Sequence, residues 1–176
     1  MIVALGSNLR GRFASRRLLL EAALETLAEA GLEVVKRSGW WRSQAWPQPT
    51  QPEYLNGVAL VETALTPREA VGRLLAIEAR FGRRRGGANA SRTLDLDLIA
   101  HGRMVIDEPG LTLPHPRASQ RRFVMGPLAE IAPSWRHPTL GETAAELSTM
   151  ATIGLDATAQ FAPTRRSVET GQSGEA

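Results

Sequence analysis

The sequence predicts an α+β fold: a ferredoxin-like (split βαβ) antiparallel sheet with helices packed on it, followed by a disordered C-terminal tail. Three observations predict it. Apolar patterning switches between strand and helix periods in the order strand–helix–strand–strand–helix–strand. The chain has 176 residues, enough for one domain to bury a core without staples. Beyond Ile153 it turns to Thr, Ser, Gly, Glu and Gln, with little left to bury. The expected division is a folded domain over 1–156 and a tail over 157–176.

Each element follows from its residues. Met1 to Leu5 is a short apolar run ending in Gly6-Ser7-Asn8, a buried strand entering a turn. Residues 13–30 carry Leu18, Leu19, Ala22, Ala23, Leu27 and Ala30 at helical spacing, and Gly31 follows in C-cap position. Residues 32–43 and 54–63 are rich in β-branched and aromatic side chains and read as strands. Between them Gln44 to Pro52 holds three prolines and no apolar period, so it is a loop. Thr66-Pro67-Arg68-Glu69 starts a helix, with Thr66 as N-cap, Pro67 at N1 and Glu69 at N3, and the helix runs to Phe81. Residues 83–91 have no apolar side chain larger than alanine and are expected to form a mobile surface loop. Leu94 to Ala100 returns to a strand. Pro114 and Pro116 bracket His115 in a rigid turn, Phe123 to Leu128 is again apolar, and a last helix is expected from about Thr143 to Met150.

Composition excludes several classes. No cysteine is present, so disulfide frameworks, thiolate zinc sites and thiol nucleophiles are out. No run of 18 apolar residues occurs, and Met1 to Gly6 is too short for a signal peptide's apolar region, so the expectation is a cytoplasmic protein with no membrane partner. The formal charge is only +3, yet twenty of the 21 bases are arginines, and Arg83, Arg84, Arg85, Arg92, Arg117, Arg121 and Arg122 fall within one third of the chain. Arginine's planar fork suits bidentate contact with phosphate oxygens, and a solvated basic face explains the same run as well. With a single lysine, Lys36, no P-loop can be written, and the protein-kinase motif set is missing too.

Chemistry concentrates in two places. In Thr93-Leu94-Asp95-Leu96-Asp97-Leu98-Ile99, strand alternation puts Asp95 and Asp97 on one face, with Cα atoms about 6–7 Å apart. Two carboxylates so placed repel unless a cation lies between them, and hard oxygen donors without Cys nearby favour magnesium. Two solvated acids on an exposed face is the plainer reading of that spacing alone. The arginine loop upstream, with His115, Arg117 and Arg121 downstream, supplies what phosphoryl transfer requires. The second place is Gln51-Pro52-Glu53-Tyr54-Leu55-Asn56. Tyr54 and Asn56 share a strand face, an aromatic platform beside an amide that suits a flat heterocycle, with Phe123 as a candidate opposite wall. Core packing of Tyr54 and a turn role for Asn56 is the competing reading.

Five segments, in order, carry a resemblance: Gly6-Ser7-Asn8, Gln51-Pro-Glu-Tyr-Leu-Asn56, Ile77-Glu78 leading to Gly82-Arg83-x-Arg85, Arg92-Thr-Leu-Asp-Leu-Asp97, and Leu113-Pro-His-Pro116 continuing to Arg121-x-Phe123. Across 1–150 they resemble the 6-hydroxymethyl-7,8-dihydropterin pyrophosphokinase family. The resemblance implies pyrophosphoryl transfer from ATP to the pterin's hydroxymethyl group with release of AMP, in folate biosynthesis. It implies ATP as co-substrate and two Mg2+ ions held by Asp95 and Asp97. It assigns catalysis to Arg83, Arg92 and Asp97, and pterin binding to Ser43, Trp46, Tyr54, Asn56 and Phe123. Nucleotide binding falls to Glu78, Arg85, Arg92, Leu98, Thr112, His115 and Arg121. It implies a monomer acting on small molecules, with no nucleic-acid partner. The sequence departs from the family pattern at Ala90-Ser91, where Gly-Pro is frequent, and at Ser43-Gln44-Ala45-Trp46. From a different class, an RNA-binding ferredoxin-like module would use the same arginines on phosphates, and a family member that binds without turnover is a third reading.

Overall fold

The structure, a computed structural model, describes residues 1–82 and 93–161. Among the described residues, strands and α-helices run in the order β1 (Ile2–Ser7), α1 (Arg16–Glu29), β2 (Glu33–Arg37), β3 (Trp40–Ser43), β4 (Tyr54–Glu62), α2 (Pro67–Arg80), β5 (Asp95–Ala100), β6 (Ile106–Glu108), β7 (Leu111–Leu113), α3 (Arg122–Ile131), α4 (Ala144–Met150) and β8 (Thr158–Phe161). The main sheet has strand order β5-β1-β4-β3-β8, with β2 also on β4, and its paired neighbours are antiparallel. The first six expected elements thus form a split βαβ sheet, with β4 inserted between β1 and the β2–β3 strand. β2 and β3 correspond to the single expected strand 32–43, broken at Ser38-Gly39.

The helices start where the sequence places caps. Ser15 caps α1, its Oγ accepting the Leu18 N–H at 3.2 Å, and Gly31 follows the helix at φ +78°. Leu20 rather than Leu18 joins the buried face of α1; Leu18 faces solvent. Thr66 and Glu69 form a reciprocal capping box on α2, and Thr143 and Glu146 repeat it on α4.

The sheet separates two cores. On one face Val3, Leu5, Leu55, Ala59, Leu96 and Leu98 pack against Leu19, Leu20, Leu27 of α1 and Leu74, Ile77 of α2. On the other, Ile2, Val58 and Ile99 pack against Val124, Met125, Leu128 of α3 and Leu147 of α4. The second core fills only part of its face, and the remainder is a cleft over β1, β4 and β5. Glycines permit the closest contacts: a Cβ at Gly57 would lie 2.6 Å from the Trp40 ring, and one at Gly126 would lie 2.6 Å from Trp41. Both tryptophans are therefore packing residues of β3, as expected from the strand reading.

Thr158–Phe161, placed in the tail by composition, pairs with β3 as an edge strand, so the folded chain passes the expected boundary at 156. Backbone pairing with β3 holds this segment at the sheet edge. Residues 162–176 lie outside the described residues, as does the expected mobile loop.

Candidate functional site

Strand register assembles the cleft. In β1, Gly6 lies between Asn56 of β4 and Asp95 of β5, and Ala4 lies between Val58 and Asp97. Small residues on the central strand leave a trough between an amide–aromatic wall and a carboxylate wall. Its floor is close: a Cβ at Gly6 would meet Asn56 Oδ1 at 3.3 Å and Tyr54 Cδ1 at 3.7 Å. The cleft is lined by Ser43, Trp46, Tyr54, Asn56 and Phe123 on one side and by Asp95, Asp97, His115 and Arg121 on the other.

Asn56 is buried and oriented from behind. Its Nδ2 donates to Ser43 Oγ at 3.0 Å and, more weakly, to the Trp41 carbonyl at 3.5 Å, which turns Oδ1 toward Gly6 and the cleft. Ser43, itself 2 % exposed, acts through Asn56 as much as through any ligand. Trp46 is half-exposed at the rim. Phe123 opens α3, and the Arg121 guanidinium carbon sits 5.7 Å from its ring centroid.

His115 lies in the turn after β7. Its Nδ1 accepts the Arg117 N–H at 3.2 Å, so the ring proton resides on Nε2. Burial, chiefly, holds its pKa below the usual imidazole value; Arg121 and Arg117 push the same way and Asp97 opposes them. A neutral imidazole with a donor Nε2–H, two arginines and the N-terminus of α3 suit an anionic ligand.

Asp95 and Asp97 project half-buried from β5 as strand alternation requires. Among the described residues no cluster of three or more Asp, Glu or His side chains could cage a metal. A carboxylate pair alone still fits magnesium, which keeps several waters and takes the rest of its shell from substrate phosphates.

Three expected nucleotide contacts do not reach the cleft. Glu78 is 1 % exposed beneath the sheet, its Oε1 accepting the Leu96 N–H at 2.7 Å, so it supports the strand that carries the aspartates. Leu98 points into the α1–α2 core, on the face opposite Asp97, because strand side chains alternate. Thr112 is exposed on the β6–β7 hairpin, where its hydroxyl donates to Asp107 at 3.4 Å. Arg83, Arg85 and Arg92 lie outside the described residues. Conversely, Gln44, Gln48 and Gln51 line the cleft; three amides in a proline-rich loop were the available signal, masked by the absence of any period.

Comparison with known proteins agrees with this geometry. Residues 2–133 match the family model for 7,8-dihydro-6-hydroxymethylpterin-pyrophosphokinase (HPPK). A 2-amino-4-hydroxy-6-hydroxymethyldihydropteridine pyrophosphokinase of Synechocystis sp. is 46% identical over 129 residues, 73% of this chain and 66% of that one, so the match spans slightly under two thirds of the relative. The Pseudomonas aeruginosa protein of the same name is 41% identical over 139 residues, covering 77% and 82%. A Plasmodium falciparum HPPK-DHPS crystal structure shares the fold with TM-score 0.67 at 14% identity, over 84% of this chain and 43% of that longer one. The matched family is one of pyrophosphokinases. The chain belongs to the 7,8-dihydro-6-hydroxymethylpterin-pyrophosphokinase family.

Proposed function

We propose that this chain transfers the pyrophosphoryl group of ATP to the hydroxymethyl oxygen of 6-hydroxymethyl-7,8-dihydropterin, with Mg2+ required. The placement of Asn56 and Asp95 on opposite flanks of Gly6, an amide beside a carboxylate pair, supports this reading above any other observation. In this reading Asn56 Oδ1 accepts from the pterin edge while Tyr54 and Phe123 enclose the ring. The substrate hydroxyl oxygen attacks the β-phosphorus, the bond from that phosphorus to the bridging oxygen breaks, and AMP leaves with the electron pair. Asp97 takes the hydroxyl proton. His115 Nε2–H, Arg117 and Arg121 donate to the phosphate oxygens as their charge redistributes. Magnesium, held by Asp95 and Asp97, would screen the triphosphate and orient it for in-line attack. Arg83 and Arg92 are proposed to close over the nucleotide and exclude water.

AMP release from ATP and Mg2+, measured with and without the pterin, tests the proposal. Pterin-dependent AMP that vanishes with EDTA is expected; pterin-independent AMP or none at all refutes it. Helices cover much of both sheet faces, which leaves little open sheet for the base stacking of an RNA-binding module. No helix among the described residues is long and apolar enough to cross a membrane.

A further inference from the structure

The chain after α4 packs behind residues that line the cleft, although it lies beyond the residues that match the family model. The N–H groups of Thr152 and Ile153 donate to the Gln120 carbonyl at 3.1 and 2.9 Å, and the Ile153 carbonyl accepts the Arg122 N–H at 2.9 Å. The segment is thereby tied to the turn that carries Arg121 and Phe123. Gly154 follows at φ +70°, and a Cβ there would fall 2.4 Å from Phe123 Cδ1. The backbone at Gly154 therefore lies against the Phe123 ring, and any side chain would displace it. Two residues on, Asp156 Oδ2 accepts the Gln44 N–H at 2.5 Å, and β8 then pairs with β3, register Arg42↔Thr158. Gln44, Ala45 and Trp46 line the cleft, as does Phe123. One short segment thus braces both the loop wall and the ring wall.

We propose that residues 153–161 are a positioning strap that sets the separation of the two walls enclosing the flat heterocycle, with Gly154 and Asp156 as positioning residues. The backbone N–H of Gln44 is fixed by a charge-assisted bond, which is shorter and more directional than a neutral one. Phe123 is fixed because its ring has a neighbour that only glycine allows. Asp156 reaches the cleft through the Gln44 loop alone, so its effect falls on one substrate; Gly154 abuts Phe123, on whose ring Arg121 also sits. The identity of that heterocycle rests on the pterin reading above; the strap itself does not.

The test compares Asp156→Ala, Asp156→Asn and Gly154→Ala with the parent chain in KM for each substrate, kcat, thermal midpoint and amide exchange at Gln44. For Asp156→Ala the expected result is a pterin KM raised about fivefold, the scale of one solvent-exposed charge-assisted bond, with KM for ATP and kcat within about twofold. Asp156→Asn, which retains an acceptor oxygen, recovers most of the loss. Gly154→Ala raises the pterin KM about tenfold as Phe123 shifts. Unchanged pterin KM in folded Asp156→Ala and Gly154→Ala overturns the proposal, as does a fall in kcat with both KM values that tracks lost thermal midpoint. The Gln44 amide needs no turnover: faster exchange in Asp156→Ala supports the strap, and unchanged exchange sinks it, whatever the parent chain does with pterin and ATP.

Discussion

At the scale of single residues, the site depends on what is small and what is charged along three adjacent strands. Gly6 and Ala4 are the floor; enlarging either would fill the space the substrate needs. Asp95 and Asp97 sit across that floor as like charges close together, an arrangement that favours a cation between them. Asp97→Ala is therefore expected to reduce turnover more than about 100-fold while the thermal midpoint stays within experimental error. Near-normal turnover in that variant would remove Asp97 from the chemistry. Asn56 behaves differently because it is a buried hydrogen-bonding group as well as the proposed reader of the heterocycle. Asn56→Ala leaves Ser43 Oγ without that partner and should cost about 1–3 kcal/mol of stability in addition to raising the pterin KM. Denaturant unfolding beside steady-state kinetics separates the two effects, and a stability loss without a KM change would make Asn56 purely structural.

At the scale of elements, legibility followed local chemistry. α2 was readable to within a residue because Thr66, Pro67 and Glu69 spell its start and Gly82 its end. β5 was readable because alternation in Leu94 to Leu98 separates core leucines from aspartates. α3 was not read as a helix: Gly126-Pro127 is a break by propensity, and the apolar stretch around it has no visible period because it is buried nearly all round. Gly126 is there for Trp41, a reason that exists only once β3 and α3 are packed. The β6–β7 hairpin carried its signal in the open, Pro109-Gly110 with Gly110 at φ +79°, the order that a turn with positive φ at its third residue demands. The carboxylate pair and the amide–aromatic wall were legible as strand patterns. The glutamines of the 44–52 loop and the strap were not, since their roles come from contacts far apart in sequence. Gly57→Ala tests the tightest such contact. With the Trp40 ring 2.6 Å from the new Cβ, overpacking should cost about 1–3 kcal/mol and leave KM values unchanged, because this is the face away from the cleft. An unchanged unfolding midpoint would contradict the packing.

At the scale of the whole molecule, two cores share one sheet, and the loop joining α3 to α4 is secured by a histidine. His137 Nδ1 accepts from the N–H groups of Thr139 and Leu140 at 3.4 and 3.3 Å. Burial, with Glu142 opposing, lowers its pKa below the usual imidazole value. The unfolded chain therefore binds a proton there more readily than the folded one, so the stability it contributes is complete above the ordinary imidazole pKa and is lost as pH falls through the lower folded value. His137→Asn, whose amide oxygen can still accept, should flatten the decline in thermal midpoint between about pH 7.5 and 5.5; an equally steep decline would assign the acid sensitivity elsewhere. The strap has a consequence of another kind, in time. Gln44 and Asp156, which meet at the cleft's rim, are 112 residues apart along the chain. At translation rates of about 5–20 residues per second, roughly 6 to 22 seconds separate their synthesis. A nascent chain can pair β1, β4 and β5 well before its cleft is braced, so the two walls acquire their spacing only after the sheet beneath them exists.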